Sequence, residues 1–142
     1  MKIKIKRLHP DAILPNYAHP GDAGLDLYSI ENDYELQPGE RKVFGNGFAL
    51  EIEDGYVGIV KDKGGPPTKY GLHTMGGVFD SGYRGDYNVL LINLGSDPVT
   101  IKKGQKIAQL VILPIITAEL EETEELSDSS RKDGRWGSTG EF

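Results

Sequence analysis

Cysteine is absent from this 142-residue chain, which excludes disulfide bonds and thiolate metal sites. Histidine is scarce, and the wide spacing of His9, His19 and His73 argues against a histidine-based zinc site. No hydrophobic run approaches the length that a bilayer-spanning helix needs. The first residues, MKIKIKRL, alternate basic and apolar side chains and predict a strand instead of a signal peptide. These absences favour a cytoplasmic protein with no membrane partner.

Positive charge is also in short supply. The formal net charge is −6, and residues 119–142 carry most of the deficit with eight acidic and three basic side chains. Residues 1–118 are therefore close to neutral, without the basic excess typical of proteins that bind nucleic acid. We expect no nucleic-acid partner. A free nucleotide needs only a few local cations, so this charge balance does not argue against one.

Short apolar stretches rich in β-branched and aromatic residues recur between turn signals such as Pro-Gly, Asp-Gly and Lys-Gly. This pattern predicts an all-β fold, a distorted jelly roll or β-sandwich of short strands. We assign one such domain to residues 1–118. Residues 119–142 form an acidic linker and a Gly/Ser-rich C-terminal arm, which we expect to be mobile alone. The predicted strands are Lys2–Leu8, Tyr34–Leu36, Lys42–Ile52, Tyr56–Val60, Tyr87–Asn93, Val99–Ile101 and Lys106–Leu113.

The segment from His73 to Tyr87, HTMGGVFDSGYRGDY, combines glycines with chemically active side chains. It predicts two short strands around a bend at residues 80–82. Paired glycines in the first arm, Gly76-Gly77, expose bare backbone on which a flat ligand can lie. A base, a flat wall and an anion partner follow within five residues, as Asp80, Tyr83 and Arg84. From these residues alone, an ordinary hairpin with a polar turn is the simpler interpretation.

The run GGVFDSGYRGDY resembles the third motif of the trimeric dUTPase family, roughly G-V-[IV]-D-x-x-Y-R-G. The resemblance implies that Asp80 is the general base that activates water. It implies that Tyr83 packs on the deoxyribose and excludes a 2′-hydroxyl. It also implies that backbone groups of the segment cradle uracil, so that the expected substrate contacts include Thr74, Gly76, Gly77, Val78, Phe79 and Arg84.

Residues 16–27, NYAHPGDAGLDL, are a loop entering a strand when judged by composition alone, with Asp22 capping a turn. They resemble the first motif of the same family, D-A-G-x-D-L. The resemblance implies that Asp26 helps to hold a magnesium ion through water and that the ion chelates the triphosphate. A carboxylate acting through water ligands suits the chemistry of Mg²⁺.

Residues 60–71, VKDKGGPPTKYG, fit a rigid surface loop when taken alone. They resemble the second family motif, roughly [PD]-[RK]-S-G-L-A-x-K, with Lys63 at the basic position and Gly65 at the glycine. Gly64 replaces the family serine, whose hydroxyl contacts the phosphate chain. A hydrogen bond to a charged group is worth about 1.5–3 kcal/mol, so its loss predicts a rate lower by about tenfold to a hundredfold. We interpret the segment as a phosphate-binding loop of reduced efficiency.

Residues 101–113, IKKGQKIAQLVIL, predict a turn followed by a buried strand. They resemble the fourth motif, G-x-[KR]-I-A-Q-L, which implies that the Gln109 amide contacts the phosphates. Without the other motifs, Gln109 is simply the polar residue of a half-buried strand.

The only tryptophan of the chain, Trp136, lies in the C-terminal arm among glycines and hydroxyl side chains. A lone aromatic residue in such a segment needs a surface or a ligand to cover. The surrounding sequence resembles the fifth motif, R-x-x-x-x-[FW]-G-S-T-G. The resemblance implies that Arg131 grips the γ-phosphate, that Trp136 stacks over uracil and that the arm closes as a lid. The other implied contacts are Gly137, Ser138 and Thr139.

The five motifs occur in family order from Asn16 to Gly140. We predict a dUTP diphosphatase that uses Mg²⁺ and releases dUMP and pyrophosphate after water attacks the α-phosphorus. The resemblance implies a homotrimer with shared sites. The first, second and fourth motifs would come from one chain, the hairpin from a second and the arm from a third.

Two other functions stay open at this stage. The related dCTP deaminases carry a glutamate in the strand after the hairpin, where this chain has Leu90, so deamination is disfavoured. A nucleotide-binding or regulatory module with impaired turnover is favoured by Gly64. Four retained residues argue against that module, namely Asp80, Tyr83, Gln109 and Arg131.

Overall fold

A computed structural model describes residues 1–135 of the chain. Apart from one short helix, its regular elements in this range are all strands, which confirms the all-β prediction. The elements are β1 Lys4–Arg7, β2 Gly24–Tyr28, β3 Tyr34–Leu36, β4 Arg41–Gly45, β5 Phe48–Glu51, β6 Tyr56–Lys61, α1 Gly65–Tyr70, β7 Leu72–Met75, β8 Val78–Phe79, β9 Asn88–Asn93, β10 Val99–Ile101 and β11 Lys106–Pro114.

The strands form small antiparallel sheets that share one core. The largest has the order β2-β11-β6-β8, the next has β4-β9-β7, and β1-β5 and β10-β3 are pairs. Alternation along the strands decides which side chains face inward, as in β9, where Val89 and Leu91 are buried and their neighbours are half-buried. Every sheet contributes to a single apolar cluster that includes Leu27, Leu36, Phe44, Phe48, Leu50, Leu91, Ile101 and Leu110.

One predicted strand needs correction. The stretch Lys42–Ile52 is two strands, β4 and β5, because the chain turns between them at Asn46 and Gly47. The Asn46 side chain donates to the carbonyl of Tyr28 at 2.8 Å, and Gly47 has a φ of 72°. The alternating pattern continues through the turn, so it could not reveal the break.

The predicted hairpin also differs from the structure. Tyr83 donates its backbone N–H to the Asp80 carbonyl at 3.0 Å, so the bend is confirmed. The two arms, however, do not pair with each other within the part of the chain that the structure describes. β8 pairs with β6, and the returning arm bonds to the first residue of β5, where the Tyr87 N–H donates to the carbonyl of Phe48 at 2.8 Å. The bend therefore joins two separate parts of the fold.

Helix α1 begins with Gly65, which is followed by the two prolines that replace the Leu-Ala of the second motif. Pro66 and Pro67 occupy the first turn, where a missing N–H leaves no intrahelical bond unmade. The helix ends at Gly71, whose φ of 69° allows its N–H to close back onto the carbonyls of these prolines. The Gly-Gly-Pro-Pro run is thus the rigid start of a helix. Helix α1 has six residues in all. No helix within residues 1–135 is long and apolar enough to cross a membrane.

Beyond β11 the chain leaves the body. Ile115 donates its N–H to the carbonyl of Gly55 at 2.8 Å, and residues 116–135 contain no helix or strand. Three large apolar side chains in this stretch are at least nine-tenths exposed, namely Ile116, Leu120 and Leu126. Large apolar side chains that are this exposed are typical of a segment that packs on another surface.

Candidate active site

The first, second and fourth motifs meet at one end of the largest sheet. Strand β11 lies between β2 and β6, and Gln109 faces Asp26 on one side and Lys61 on the other. Lys63, two residues beyond β6, reaches back to form an ion pair with the Asp26 carboxylate. Three residues predicted to act on the triphosphate, Asp26, Lys63 and Gln109, are therefore neighbours in one chain.

Asp26 is the most buried carboxylate of the site, with 1% of its surface exposed. Its Oδ1 contacts Lys63, and its Oδ2 lies 2.6 Å from the Lys106 Nζ. Burial raises the pKa of Asp26, but the hydrogen bonds and charges of the two lysines outweigh it, so the pKa lies below its usual value. The carboxylate therefore stays ionised at neutral pH.

Lys106 was not predicted as a site residue. Its hydrogen bond and ion pair with Asp26 raise the pKa of its ammonium group, which lies 5.8 Å from the centre of the Tyr28 ring. The signal was present, because Lys106 occupies the [KR] position of the fourth motif.

Gln109 is held by packing and by one hydrogen bond. Its Nε2 donates to the backbone carbonyl of Asp62 at 2.7 Å. Its side chain lies directly over Gly24, where an added β-carbon would be 2.1 Å from the Gln109 Oε1. The glycine of D-A-G-x-D-L thus makes room for the glutamine of the fourth motif. The two motifs are one packed unit.

The segment Lys63–Gly65, here called the glycine loop, connects β6 to α1. A β-carbon at Gly64 or Gly65 would meet nothing within 4 Å. Gly64 has φ −59° and ψ −34°, values that any residue adopts. Neither glycine is therefore needed for the local fold, and their bare backbone is open to a ligand.

The segment Thr74–Gly77, here called the arch, links β7 to β8. Its two glycines, Gly76 and Gly77, both have a positive φ but have different structural roles. An added β-carbon at Gly77 would lie 2.7 Å from the Val60 Cβ, so Gly77 allows close packing on β6. Gly76 faces open space and is exposed. The open side of the arch is where a flat base has access to backbone groups.

Tyr83 lies at the edge of an aromatic row. Phe48, Tyr87 and Phe79 stack in turn, with ring centroids 5.4 and 4.1 Å apart. Tyr83 tilts against the end of the row, 5.6 Å from Phe79, and its hydroxyl donates to the Asp86 carbonyl at 3.0 Å. The ring is 40% exposed. It presents a fixed, partly open wall beside β8.

Asp80 is exposed and directly follows β8. Arg84, four residues further on, folds back over the bend and donates to the carbonyls of Ser81 and Tyr83. The Arg84 guanidinium thus stabilises the turn, a role that the sequence did not predict. Its assignment as a substrate contact stays a prediction.

Asp80 and Gln109 belong to different ends of the sheet. In the β6–β8 pair, Val78 faces Ile59 and Phe79 faces Gly58, so the next residues continue toward Val57. Gln109 instead faces Lys61. Val57 and Lys61 are four residues apart on β6, so Asp80 and Gln109 are separated by about 13 Å along the sheet. Lys63 lies two residues beyond Lys61 and is therefore further from Asp80 than Gln109 is. One chain therefore does not bring Asp80 to its own glycine loop.

The arm residues are described only in part. The Arg131 Nε donates to the Gly134 carbonyl at 3.0 Å within a local turn. Residues 136–142 lie outside the described part of the chain, and with them the predicted contacts Trp136, Gly137, Ser138 and Thr139.

A buried carboxylate lies beside two lysines, an open glycine loop and an arch of bare backbone on one jelly-roll body, and these features suit a nucleotide-binding β protein. Comparison with known sequences makes this specific: residues 10–140 match the family described as dUTPase. The chain belongs to the dUTPase family.

Individual relatives agree with this assignment. The deoxyuridine 5′-triphosphate nucleotidohydrolase of Nautilia profundicola is 47% identical over 142 residues, which cover 99% of each chain. Among solved structures, the dUTPase of Staphylococcus bacteriophage 80alpha with dUpNHpp superposes with a TM-score of 0.88 at 32% identity, covering 98% of each chain. A dUTPase variant from phage phi11 of S. aureus, with a structural Mg(II) ion, has a TM-score of 0.82 at 28% identity, covering 88% of this chain and 98% of that one.

Proposed function

We propose that this chain, a hydrolase of the dUTPase family, cleaves dUTP to dUMP and pyrophosphate in active sites shared between copies of itself. The observation that carries the proposal is the grouping of Asp26, Lys63 and Gln109 at one end of the sheet. Cations, an amide and open backbone N–H groups at one place suit a triphosphate. The arch at the neighbouring strand end suits a flat base.

The base-recognition step is assigned to the arch and to Tyr83. Backbone N–H and C=O groups around Gly76 read the edge of uracil, while the fixed ring of Tyr83 lies against the deoxyribose. Because this ring is held by Phe79 and by the Asp86 carbonyl, it cannot withdraw easily from a 2′-hydroxyl. This gives a physical basis for discrimination between dUTP and UTP.

The hydrolytic step is assigned to Asp80. Its carboxylate accepts a proton from a water molecule, which attacks the α-phosphorus as the bond to the leaving pyrophosphate breaks. Two groups of the glycine loop stabilise the negative charge that develops on pyrophosphate: its backbone N–H groups and the Lys63 ammonium group. Gly64 has no hydroxyl to add, which sets the expected rate below that of a serine-bearing relative.

The residues fit a magnesium ion that the nucleotide itself carries. No group of three or more His, Cys, Asp or Glu side chains within residues 1–135 is placed to hold a metal directly. Asp26 is one ionised carboxylate beside Gln109, so it suits contact through a water ligand. When bound, Mg²⁺ would neutralise phosphate charge and make the phosphorus more electrophilic. Lys63 and Lys106 would then share Asp26 with that water.

The distance between Asp80 and Gln109 supports the shared site. Because one chain holds them at different ends of its sheet, the water-activating group and the phosphate groups of one site come from different copies. The exposed apolar side chains of residues 116–126 support an arm that reaches a third copy. A homotrimer is the smallest ring in which the three parts of each site come from three different chains. A cytoplasmic location also stays a prediction.

The test is pyrophosphate release from dUTP, dCTP, dTTP and UTP, with and without Mg²⁺. We expect release from dUTP alone, dependent on Mg²⁺, by a particle of three chains in analytical ultracentrifugation. Binding of dUTP without release would instead favour a nucleotide-binding module, for which the missing hydroxyl at Gly64 is the specific observation. Release from a monomer would overturn the shared site.

A further inference from the structure

We propose that Asp62 is a positioning residue that holds the arch in the shape that receives the nucleobase. The inference rests on the proposed function, because it assigns the base to the arch. Asp62 carries no role in the sequence interpretation, where the second motif contributed only its basic and glycine positions.

Asp62 follows the last residue of β6 and reaches across to β7 with both carboxylate oxygens. Its Oδ1 accepts the backbone N–H of Thr74 at 2.6 Å, and its Oδ2 lies 2.6 Å from the His73 Nδ1. Strands β6 and β7 belong to different sheets. The Asp62 side chain therefore links β6 to β7, which share no backbone hydrogen bonds of a common sheet.

The arch is fixed to β6 at both ends. At its start Thr74 is bound by Asp62, and at its end the Gly77 carbonyl accepts the N–H of Val60 at 2.8 Å. Val60 and Asp62 are only two residues apart, so Met75 and Gly76 have to bulge outward between the two anchors. Removing the Asp62 carboxylate leaves one anchor, and the arch is then free to change its width.

The same residue also aligns the phosphate side. The Asp62 carbonyl accepts from the Gln109 Nε2 at 2.7 Å, and Lys63 follows it directly in the chain. Burial raises the pKa of Asp62, but its hydrogen bonds to His73 and Thr74 outweigh burial and lower it overall. The carboxylate is therefore an ionised acceptor at neutral pH, which strengthens both bonds.

The test compares three purified full-length variants in steady-state hydrolysis of dUTP and dCTP. Asp62→Ala removes both acceptors, and Asp62→Asn keeps an oxygen for Thr74 and an amide group at the His73 Nδ1. Glu40→Ala is the matched control, because Glu40 also accepts from one backbone N–H, that of Gln37 at 2.8 Å, and from one ring group, the Tyr34 hydroxyl.

We expect Asp62→Ala to raise KM for dUTP about tenfold, the scale of one lost charge-assisted hydrogen bond. Its preference for dUTP over dCTP should fall as well, while kcat changes less. Asp62→Asn keeps both contacts without the charge, so its loss should be clearly smaller than that of Asp62→Ala. Dissociation constants for dUMP, measured by calorimetry, should follow the same order, because dUMP carries the base without the pyrophosphate.

Two results would overturn the role of Asp62 in a wild-type protein that hydrolyses dUTP. One is an Asp62→Ala variant whose KM and base preference match those of Glu40→Ala. The other is an Asp62→Asn variant as impaired as Asp62→Ala. If Asp62→Ala does not fold, Asp62→Glu replaces it, since it keeps the charge and displaces the acceptor by one methylene; an unchanged KM would then refute the role. Absence of dUTP hydrolysis in wild type would instead refute the proposed function.

Discussion

The phenol ring of Tyr83 lies against Gly85, where an added β-carbon would stand 2.4 Å from the phenol oxygen and 2.6 Å from the ring carbon Cζ. Atoms at such distances overlap, so the ring occupies the space that a side chain at Gly85 would need. The glycine of the Y-R-G sequence is thus a condition for the position of the tyrosine.

Gly85→Ala should therefore displace Tyr83 and weaken discrimination against a ribose. We expect the ratio of kcat/KM for dUTP over UTP to fall about tenfold, the scale of a mispositioned contact. Gly82→Ala is the matched control, since a β-carbon there meets nothing within 4 Å. Equal discrimination ratios for the two variants would separate Tyr83 from sugar selection.

Gly64→Ser should accelerate turnover. The backbone at Gly64 is in the right-handed helical region and has open space for a side chain, so serine fits without strain. A hydroxyl donating to phosphate should raise kcat about tenfold. Gly65→Ser places the same hydroxyl one residue further on, also in open space, and should give no such gain. A rate for Gly64→Ser no higher than wild type would show that the glycine costs nothing.

Asp80→Asn should abolish hydrolysis and leave dUTP binding largely intact, because the amide cannot accept the proton of the attacking water. We expect kcat to fall by about a thousandfold. Asp86→Asn changes a second exposed carboxylate in the same segment and should remain active. Pyrophosphate release and calorimetric binding separate the two effects, and a binding loss in Asp80→Asn would argue for a role in affinity.

Tyr87→Phe should stabilise the protein, most clearly in alkali. The Tyr87 hydroxyl is buried and has no hydrogen-bond partner within residues 1–135, so its removal should gain about 1 kcal/mol. Burial raises the pKa of Tyr87 to about 12. The folded phenol stays neutral where the unfolded one ionises, so wild type loses stability as pH rises from about 10 toward 12.

The measurement is thermal unfolding of wild type and Tyr87→Phe at pH 8 and pH 11. The gap in Tm should widen at the higher pH, because phenylalanine does not titrate. A constant gap would mean that the Tyr87 phenol ionises equally in both states.

Removing residues 131–142 should cost most of the activity and leave the body folded. The body's core ends with β11, and directly after this strand Ile115 bonds to Gly55. We expect an unchanged thermal midpoint and a fall in kcat/KM of about a hundredfold, as for loss of a closing lid. Replacing Ser127–Ser130 by alanines keeps the arm's length and serves as the control. Full activity of the truncated protein would exclude a lid.

Local patterns predicted much of the fold. The predicted bounds of two strands, Tyr34–Leu36 and Val99–Ile101, agree with the structure at every residue. Both are short alternating runs between strong turn signals, which fix where a strand begins and ends. The return arm near Tyr87 was assigned to the wrong partner, because pairing with Phe48 depends on how distant parts of the chain meet. Sequence periodicity carries no information on that point.

The site residues also divide into those that local motifs predict and those that depend on distant contacts. Motif resemblance supplied Asp26, Lys63 and Gln109, which the fold brings together. It passed over Asp62 and Lys106, because their function lies in bonds to residues 12 and 80 positions away, Thr74 and Asp26. A residue that acts by holding another is visible only once both are placed.

The separation of Asp80 from Gln109 has a genetic consequence. In the proposed shared site, a defect at Asp80 and a defect at Asp26 damage parts that come from different chains. Two inactive alleles expressed together would therefore rebuild some intact sites in mixed assemblies, and each would complement the other. A chain with both defects would instead disable two sites, one through Asp80 and another through Asp26, so in mixed assemblies it would lower the activity of its wild-type partners.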